Sequence, residues 1–382
     1  MTSDSYESPW VTDEARIFRK YVRQFIEKEL APHRARYEKQ GRADPDAWRK
    51  AGEMGMLLPA VPEQYGGGGG TFALEAIAVE ELARANLHLG FDIQSIVARY
   101  ILAYGNEEQR HRWLPGLACG EFIGAIALTE PDSGSDLQSL RTTARRQGDH
   151  YVIDGAKTFI TNGMNASLVC LAVRTDSRPG PKALSLIVVE TKNLPGYRVG
   201  RSLHKVGRHA QDTCELFFDG VRVPAANLLG AGEGRGLFQL MEQLRHERLS
   251  IALSAVAAAE SAVEITTRYV KERKAFGKPL FELQNTRFTL VDCTTEAHVA
   301  RVFVDNCIQL FMAGKLDDAT AAMAKYWVTE CQFKVIDACV QLHGGYGYME
   351  EYPIARMWAD SRAQRIYAGS NEVMKEVVAW SL

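Results

Sequence analysis

The chain has no surplus of either charge: 45 Lys and Arg stand against 47 Asp and Glu, a formal net charge of −2 at pH 7. A nucleic-acid binder normally carries a basic excess, so this balance argues against that class of partner. There is no CxxC pair, and no cysteine is spaced with histidine as metal ligands are. The seven cysteines (Cys119, Cys170, Cys214, Cys293, Cys307, Cys331 and Cys339) are an odd number in apolar settings such as SLVCLAV and VIDACVQL. They read as reduced core thiols of an intracellular protein. No apolar run approaches the roughly 18 residues of a membrane span. The N-terminus, MTSDSYESPWVTDEARIF, is acidic and polar, unlike a signal or transit peptide. Internal repeats and low-complexity tails are missing as well. The expectation is a cytoplasmic globular protein that holds no metal, binds no nucleic acid and inserts into no membrane.

What is present divides into three segments. The 382 residues, 46% of them hydrophobic, suffice for two or three domains with sizeable cores. Residues 1–120 read as helical, with apolar positions every three or four residues in ARIFRKYVRQFIEKEL and ALEAIAVEELARA. Between those stretches lies MLLPAVPEQYGGGGG, where two prolines and the run Gly66 to Gly70 break any helix. A phosphate loop would need a following Gly-Lys-Ser/Thr, so the run reads as a flexible turn.

Residues 121–232 change to short β-type runs punctuated by Gly, Asp and Pro, at the spacing of an antiparallel sandwich or barrel. Residues 233–382 return to long helical stretches, such as LSIALSAVAAAESAVEITTRYVKER, which suit a four-helix antiparallel bundle. The fold class is α+β multidomain: an all-α domain, a β-barrel or sandwich, and a helical bundle.

Five stretches carry chemistry. ALTEPDSGSDLQS (127–139) follows a β run and is dense in hydroxyls and glycine, which suits a polar ring or a phosphate, or a plain turn. KTFITNG (157–163) puts Phe159 and Thr161 on one strand face, where they could wall a flat heterocycle or serve as core aromatic and surface threonine. RKAFGKPL (273–280) ends a helix with a basic cluster; its cations either complement the helix dipole or meet a diphosphate through Arg273. QLHGGYGYMEEYP (341–353) interrupts a helix with glycines, each costing about 1 kcal/mol relative to alanine there, as though a large group came close to the backbone. RIYAGSNEVMKE (365–376) reads as an extended entry, a tight Ala-Gly-Ser corner and a helix capped by Ser370 or Asn371. Ala368 and Gly369 in that corner have no group that moves a proton. A sixth stretch, LMEQLRHERLSIALSA (240–255), places Glu247 and Arg248 at the polar start of an apolar helix, either as a solvated helix end or as something more.

These motifs, in this order and over nearly the whole chain, resemble the acyl-CoA dehydrogenase family of flavoenzymes, and most of all its long-chain branch. AKYWVTE, RVFVDNC and LHKVGRHAQDTCELFF strengthen the likeness. The resemblance implies FAD as cofactor, lined by Ile126, Leu128, Thr129, Gly134, Ser135, Phe159, Ile160 and Thr161. Arg273, Phe276, Gln284, Gln341, Leu342, Gly344 and Gly345 would meet its diphosphate or adenosine across a subunit contact, while Ser370, Asn371 and Glu372 would hold it at a helix start. Ser135, Phe238, Arg245, Arg248, Ala368 and Gly369 would touch the substrate.

In many family members the catalytic glutamate occupies the position matched by Ala368. In the long-chain and isovaleryl type it occupies the position matched by Glu247, which is therefore the expected base. The thioester oxygen would be held by a flavin ribityl hydroxyl and the Ala368 backbone N–H. The implied reaction is α,β-dehydrogenation of a saturated long-chain or branched acyl-CoA to a trans-2-enoyl-CoA. The implied partners are electron-transfer flavoprotein as electron acceptor and further copies of the chain in a homotetramer. Alternatives are an acyl-CoA oxidase or other flavin oxidase on the same scaffold and, more remotely, a silent binding protein. The charge balance and Glu247 speak against the last.

Overall fold

The computed structural model describes residues 6–178 and 180–382. The N-terminal segment is helical: α1 (Asp13–Phe25), α2 (Arg34–Gln40), α3 (Pro45–Glu53), α4 (Phe72–Arg84), α5 (Phe91–Tyr104) and α6 (Glu107–Ala118). Their starts are chemically marked. Thr12 and Thr71 cap α1 and α4, and Asn106 exchanges hydrogen bonds with Gln109 in a reciprocal capping box at α6. Two buried glutamines tie these helices to the sheet. Gln94 on α5 donates to Leu117 O and Phe122 O and accepts from Gly124 N, which fixes the start of the first strand. Gln109 reaches Ala226 O and Leu228 O at the far end of the sheet.

The glycine run differs from the flexible turn expected of it. Gly68 N, Gly69 N and Gly70 N donate to Leu58 O, Val61 O and Pro59 O, so the loop is pinned against the chain before it. A Cβ on Gly67 would lie 2.2 Å from Val61 O. Glycine is needed there for close backbone approach rather than for freedom.

The strands are β1 (Gly124–Ala127), β2 (Thr143–Gln147), β3 (His150–Thr161), β4 (Leu168–Arg174), β5 (Leu184–Glu190), β6 (Tyr197–Ser202) and β7 (Thr213–Pro224). They form one curled sheet in the order β1-β4-β2-β3-β7-β6, with β5 added on β4. Most neighbours are antiparallel, as the short punctuated runs imply. β1 and β2 depart from this by running parallel to β4, with Ile126 opposite Cys170 and Thr143 opposite Arg174. The unbroken apolar runs of β4 and β5 are explained by burial on both faces. Leu168, Cys170 and Ala172 pack against the helices, and Val169, Leu171 and Val173 pack inside the sheet.

The C-terminal segment holds α7 (Gly236–Glu272), a hairpin of β8 (Lys274–Ala275) and β9 (Lys278–Pro279), then α8 (Gln284–Met312), α9 (Asp318–His343), α10 (Pro353–Ser361) and α11 (Asn371–Ala379). Four helices of similar length were expected. The structure has three long ones, of 37, 29 and 26 residues, and two of nine. The physical reason lies in the breaks: Gly344 ends α9 at φ +59, Pro353 opens α10, and the Ala368–Gly369 corner stops the chain before α11. By length and composition α7 is also apolar enough to cross a membrane, against the expectation that no such stretch exists, yet 67% of that window is buried inside the fold.

An ion network ties the helical segments together. Arg301 on α8, 4% exposed, donates to Glu260 on α7 and Glu80 on α4, and the neighbouring Asp305 accepts from Trp10 and Tyr6.

Candidate active site

Glu247 lies three turns into α7 and is 8% exposed, so it is a buried carboxylate and not a solvated helix end. The fully buried Tyr100 on α5 donates its hydroxyl to Glu247 Oε1 at 3.0 Å. Burial is the main influence on this carboxyl and pushes its pKa up to about 7 from 4.5, with Tyr100 and Arg248 pulling the other way. One residue earlier, His246 Nε2 faces Glu75 Oε1 on α4 at 2.7 Å, both groups buried. The Glu247 charge also reaches the Cys170 thiol on β4, which burial already raises to about 12. Since Cys170 sits opposite Ile126, the carboxylate stands beside the strand that opens the 127–139 motif.

The other expected substrate residues are spread along α7. Arg248 is buried, and neither its Nε nor that of Arg245 has a hydrogen-bond partner among the described residues, although Arg245 Nε lies at ion-pair distance, 3.1 Å, from Asp318 Oδ1. Phe238, 45% exposed, lies nine residues before Glu247, about 13 Å along the axis at 1.5 Å per residue. It borders an open cavity of about 360 Å³ that includes Arg178, Lys182 and Arg235. Those three cations had no signal in the motifs.

The corner after α10 is not the extended entry expected. A 3-10 turn (Arg362–Arg365) leads to Ile366 in a helical conformation, and the chain then reverses through Ala368 at φ +53 and Gly369 at φ +86. A left-handed alanine is uncommon and costs free energy, so surrounding contacts have to hold it. Lys325 on α9 supplies them. Fully buried, it donates to Gly369 O at 2.7 Å and to Asn371 Oδ1 at 2.9 Å. Burial and then the charge of Arg248 push Lys325 down to about 8, which places the corner within electrostatic reach of the Glu247 turn. Among the described residues the N–H of Ala368 has no acceptor within the chain. Ser370, not Asn371, caps α11 through Val373 N. The Asn371 side chain is committed to Thr329, Glu330 and Lys325, leaving only its main chain for a ligand, while Glu372 is exposed in the first turn.

The two strand motifs meet. Thr158 N donates to Thr129 O, and Lys157 Nζ donates to Leu128 O and to Glu130 Oε1 at 2.8 Å. Burial opposes the charge on Glu130, but Lys157 with the N–H groups of Arg141 and Thr142 holds it below its usual range. This clamp closes the loop and leaves Gly134 and Ser135 at the surface. Beyond it the pairing of β3 with β7 slips between Lys157 and Ile160. Phe159 falls in the slip at φ +59 and is 66% exposed, with Ile160 buried and Thr161 half-buried. An aromatic side chain held out in a strained backbone fits a flat ring laid against it.

A second group forms at the end of the bundle. The Arg273 guanidinium lies 5.5 Å over the Tyr346 ring, and Tyr269 stacks on His343 at 4.2 Å. This brings the 273–284 and 341–347 motifs together. Phe276 tips the β8–β9 hairpin at φ +54, 93% exposed. At Gly344 and Gly345 an added Cβ would meet nothing within 4 Å; Gly344 is required by its φ of +59, but nothing in the chain's own packing demands glycine at 345. Both groups fit a flavin dinucleotide, one its ring and the other its polar end. Among the described residues no hydrogen bond, ion pair or ring contact joins them.

Comparison with known proteins matches all three segments. Three family profiles fit: acyl-CoA dehydrogenase N-terminal domain over residues 12–121, middle domain over 125–221 and C-terminal domain over 234–382. The mitochondrial long-chain specific acyl-CoA dehydrogenase of Sus scrofa is 47% identical over 95% of this chain and 85% of its own length. An acyl-CoA dehydrogenase of Bacillus subtilis is 39% identical over 97% of this chain and 98% of its own. The crystal structure of an acyl-CoA dehydrogenase from Geobacillus kaustophilus superposes with a TM-score of 0.94 at 46% identity, over 98% of this chain and 99% of that one. A glutaryl-CoA dehydrogenase from Mycobacterium smegmatis, solved in complex with FADH2, gives 0.91 at 27% identity over 100% of this chain and 96% of that one. The chain therefore belongs to the acyl-CoA dehydrogenase family, whose members are FAD-dependent oxidoreductases.

Proposed function

We propose that the protein converts a saturated long-chain or branched acyl-CoA to the trans-2-enoyl-CoA, with Glu247 as the base that takes the α-proton. The observation that carries this reading is the buried carboxylate of Glu247 on α7, taken with a corner whose Ala368 bears no acid and whose N–H, among the described residues, has no acceptor within the chain. A carboxyl raised to about 7 is a stronger base than one in water and is still half ionised near neutrality. The Ala368 N–H, offered by a left-handed corner that Lys325 holds, suits a thioester oxygen gaining charge. FAD, when bound, supplies the acceptor for the hydride that leaves the β-carbon. Phe159, Thr161, Thr129 and Ser135 would hold its ring, with Arg273, Gln284, Gln341, Gly344, Gly345 and the α11 start for the rest. Phe238 and the Arg178–Lys182–Arg235 cavity suit the remote, phosphate-bearing part of the thioester.

The long-chain preference is supported by the 46–47% identity to long-chain specific relatives and by the position of the base on α7. Self-association is supported by the two unjoined cofactor groups and by an apolar stripe along α8. There Phe288, Val291, Val299 and Val302 are 45–60% exposed. A homotetramer is the assembly we propose, checked by sedimentation mass. Electron-transfer flavoprotein is the proposed acceptor of the electrons.

The test is an anaerobic titration with saturated acyl-CoAs of increasing length and one branched series, following the flavin absorption. Bleaching by a long or branched chain supports the reading, and Glu247→Gln is expected to bind the same ligand without bleaching. No bleaching by any chain with flavin bound would overturn it. Rapid peroxide formation without an added acceptor would point to an oxidase.

A further inference from the structure

We infer that Tyr100 is a positioning residue for the reaction: the hydrogen bond it donates to Glu247 Oε1 fixes where the carboxylate points and favours its charged form. The inference rests on the reading of Glu247 as the base. Tyr100 is fully buried on α5, its ring 6.2 Å from that of Tyr104, so the phenol has no freedom to swing away. Among the described residues it is the only hydrogen-bond donor to Glu247. Burial, and then the Glu247 charge itself, drive the Tyr100 hydroxyl well above its ordinary range. It therefore remains a donor at any working pH.

The other charged or titratable groups around Glu247 cannot take over this role. On α7, Arg248 contributes charge at a distance but no hydrogen bond, and it also answers to Asp318 on α9. His246, turned by about 100° around the helix from Glu247, is spent on Glu75 of α4, and Arg99 of α5 lies beside that pair. The Cys170 thiol on β4 is neutral, raised to about 12 by burial. Lys325 on α9 is engaged with Gly369 O and Asn371.

The experiment measures the pH dependence of flavin reduction in the Tyr100→Phe holoenzyme, anaerobically and at saturating long-chain acyl-CoA. Losing a hydrogen bond to a charged group should move the acid limb up by about one to two pH units. From a pKa of about 7, that shift slows reduction at pH 7 about five- to fifty-fold. Most of the lost rate should return by about pH 9.5. A loss uniform across pH, or a limb that stays in place, would overturn the inference. Glu247→Gln is run in parallel. If it still reduces flavin, the base reading falls and takes this one with it; if it is inert while the Tyr100→Phe limb stays in place, only the role of Tyr100 falls.

Discussion

Glu247→Gln should make the protein more stable at alkaline pH while stopping the reaction. The folded-state pKa of about 7 stands above the ordinary 4.5, so between those values the folded chain holds a proton that the unfolded chain has released. Stability contributed by this group is therefore fully present below 4.5, falls as pH rises through the window, and stays low above 7. A displacement of roughly 2.5 units corresponds to about 3 kcal/mol at 1.36 kcal/mol per unit. Glutamine keeps the shape and an oxygen to accept from Tyr100, but carries no charge to desolvate. For a chain of 382 residues, at about 2.1 cal/mol/K per residue, 3 kcal/mol amounts to about 4 °C in the thermal midpoint. The assay is a thermal melt of wild type and variant at pH 5 and pH 8.5, both saturated with FAD. The expected gain is about 4 °C at pH 8.5 and a fraction of that at pH 5. Equal midpoints at both pH values, in a variant that no longer reduces flavin, would mean that the carboxylate is solvated, and the burial argument would fail.

Four further outcomes rest on the same contacts. The wild-type reduction rate should rise with pH through about 7, because Glu247 must lose its proton before it can act; a flat profile from pH 5.5 to 8.5 would contradict this. Lys325→Met takes the donor from Gly369 O and Asn371 Oδ1, so stability should fall by about 2 kcal/mol, and kcat should drop more than KM rises as the Ala368 corner loosens; wild-type kcat in this variant would refute the link. Arg301→Leu removes the cation shared by Glu80, Glu260 and Asp305 and leaves each with its remaining partners (Arg19, Arg84, and Trp10 with Tyr6), so it should cost about 2–3 kcal/mol in urea unfolding, less than a fully unpaired buried charge would. Gly345→Leu, placed where nothing lies within 4 Å, should leave the apoprotein melt unchanged to within about 1 °C while weakening FAD binding about tenfold or more by fluorescence titration; unaltered affinity would remove this glycine from the cofactor site.

Much of the layout was legible from local pattern, and the reasons for the gaps are physical. Helical periodicity and capping residues are short-range signals, so the three segments stand out in the chain. Glu247 was nameable because a resemblance supplied its role, but its burial was not. HERL looks like the polar end of a helix, and only the packing of α5 and β4 over it makes the site dry. Tyr100, in YILAYG, looks like any core aromatic, since its hydroxyl acquires meaning from a residue 147 positions away. Lys325 was invisible for the same reason: its partners, Gly369 and Asn371, come from another part of the chain. The parallel pairing of β1 with β4 is a tertiary choice that alternation does not encode. The glycine run misled in another way, because composition reports what a segment permits, and here the permission is used for tight backbone packing.

One unbroken helix, α7, carries Phe238 near its start, Glu247 in its first half and the Arg273 hairpin at its end. Its 37 residues span about 55 Å at 1.5 Å per residue, and each added residue turns everything beyond it by about 100°. A single insertion between Phe238 and Glu247 would swing the carboxylate away from Tyr100 and displace the hairpin at the same time. Point substitutions can tune this helix, but changes in its length are closed to it. Descendants of this chain that gain or lose residues should do so in the loops, such as 191–196 or 313–317, and leave α7 at constant length.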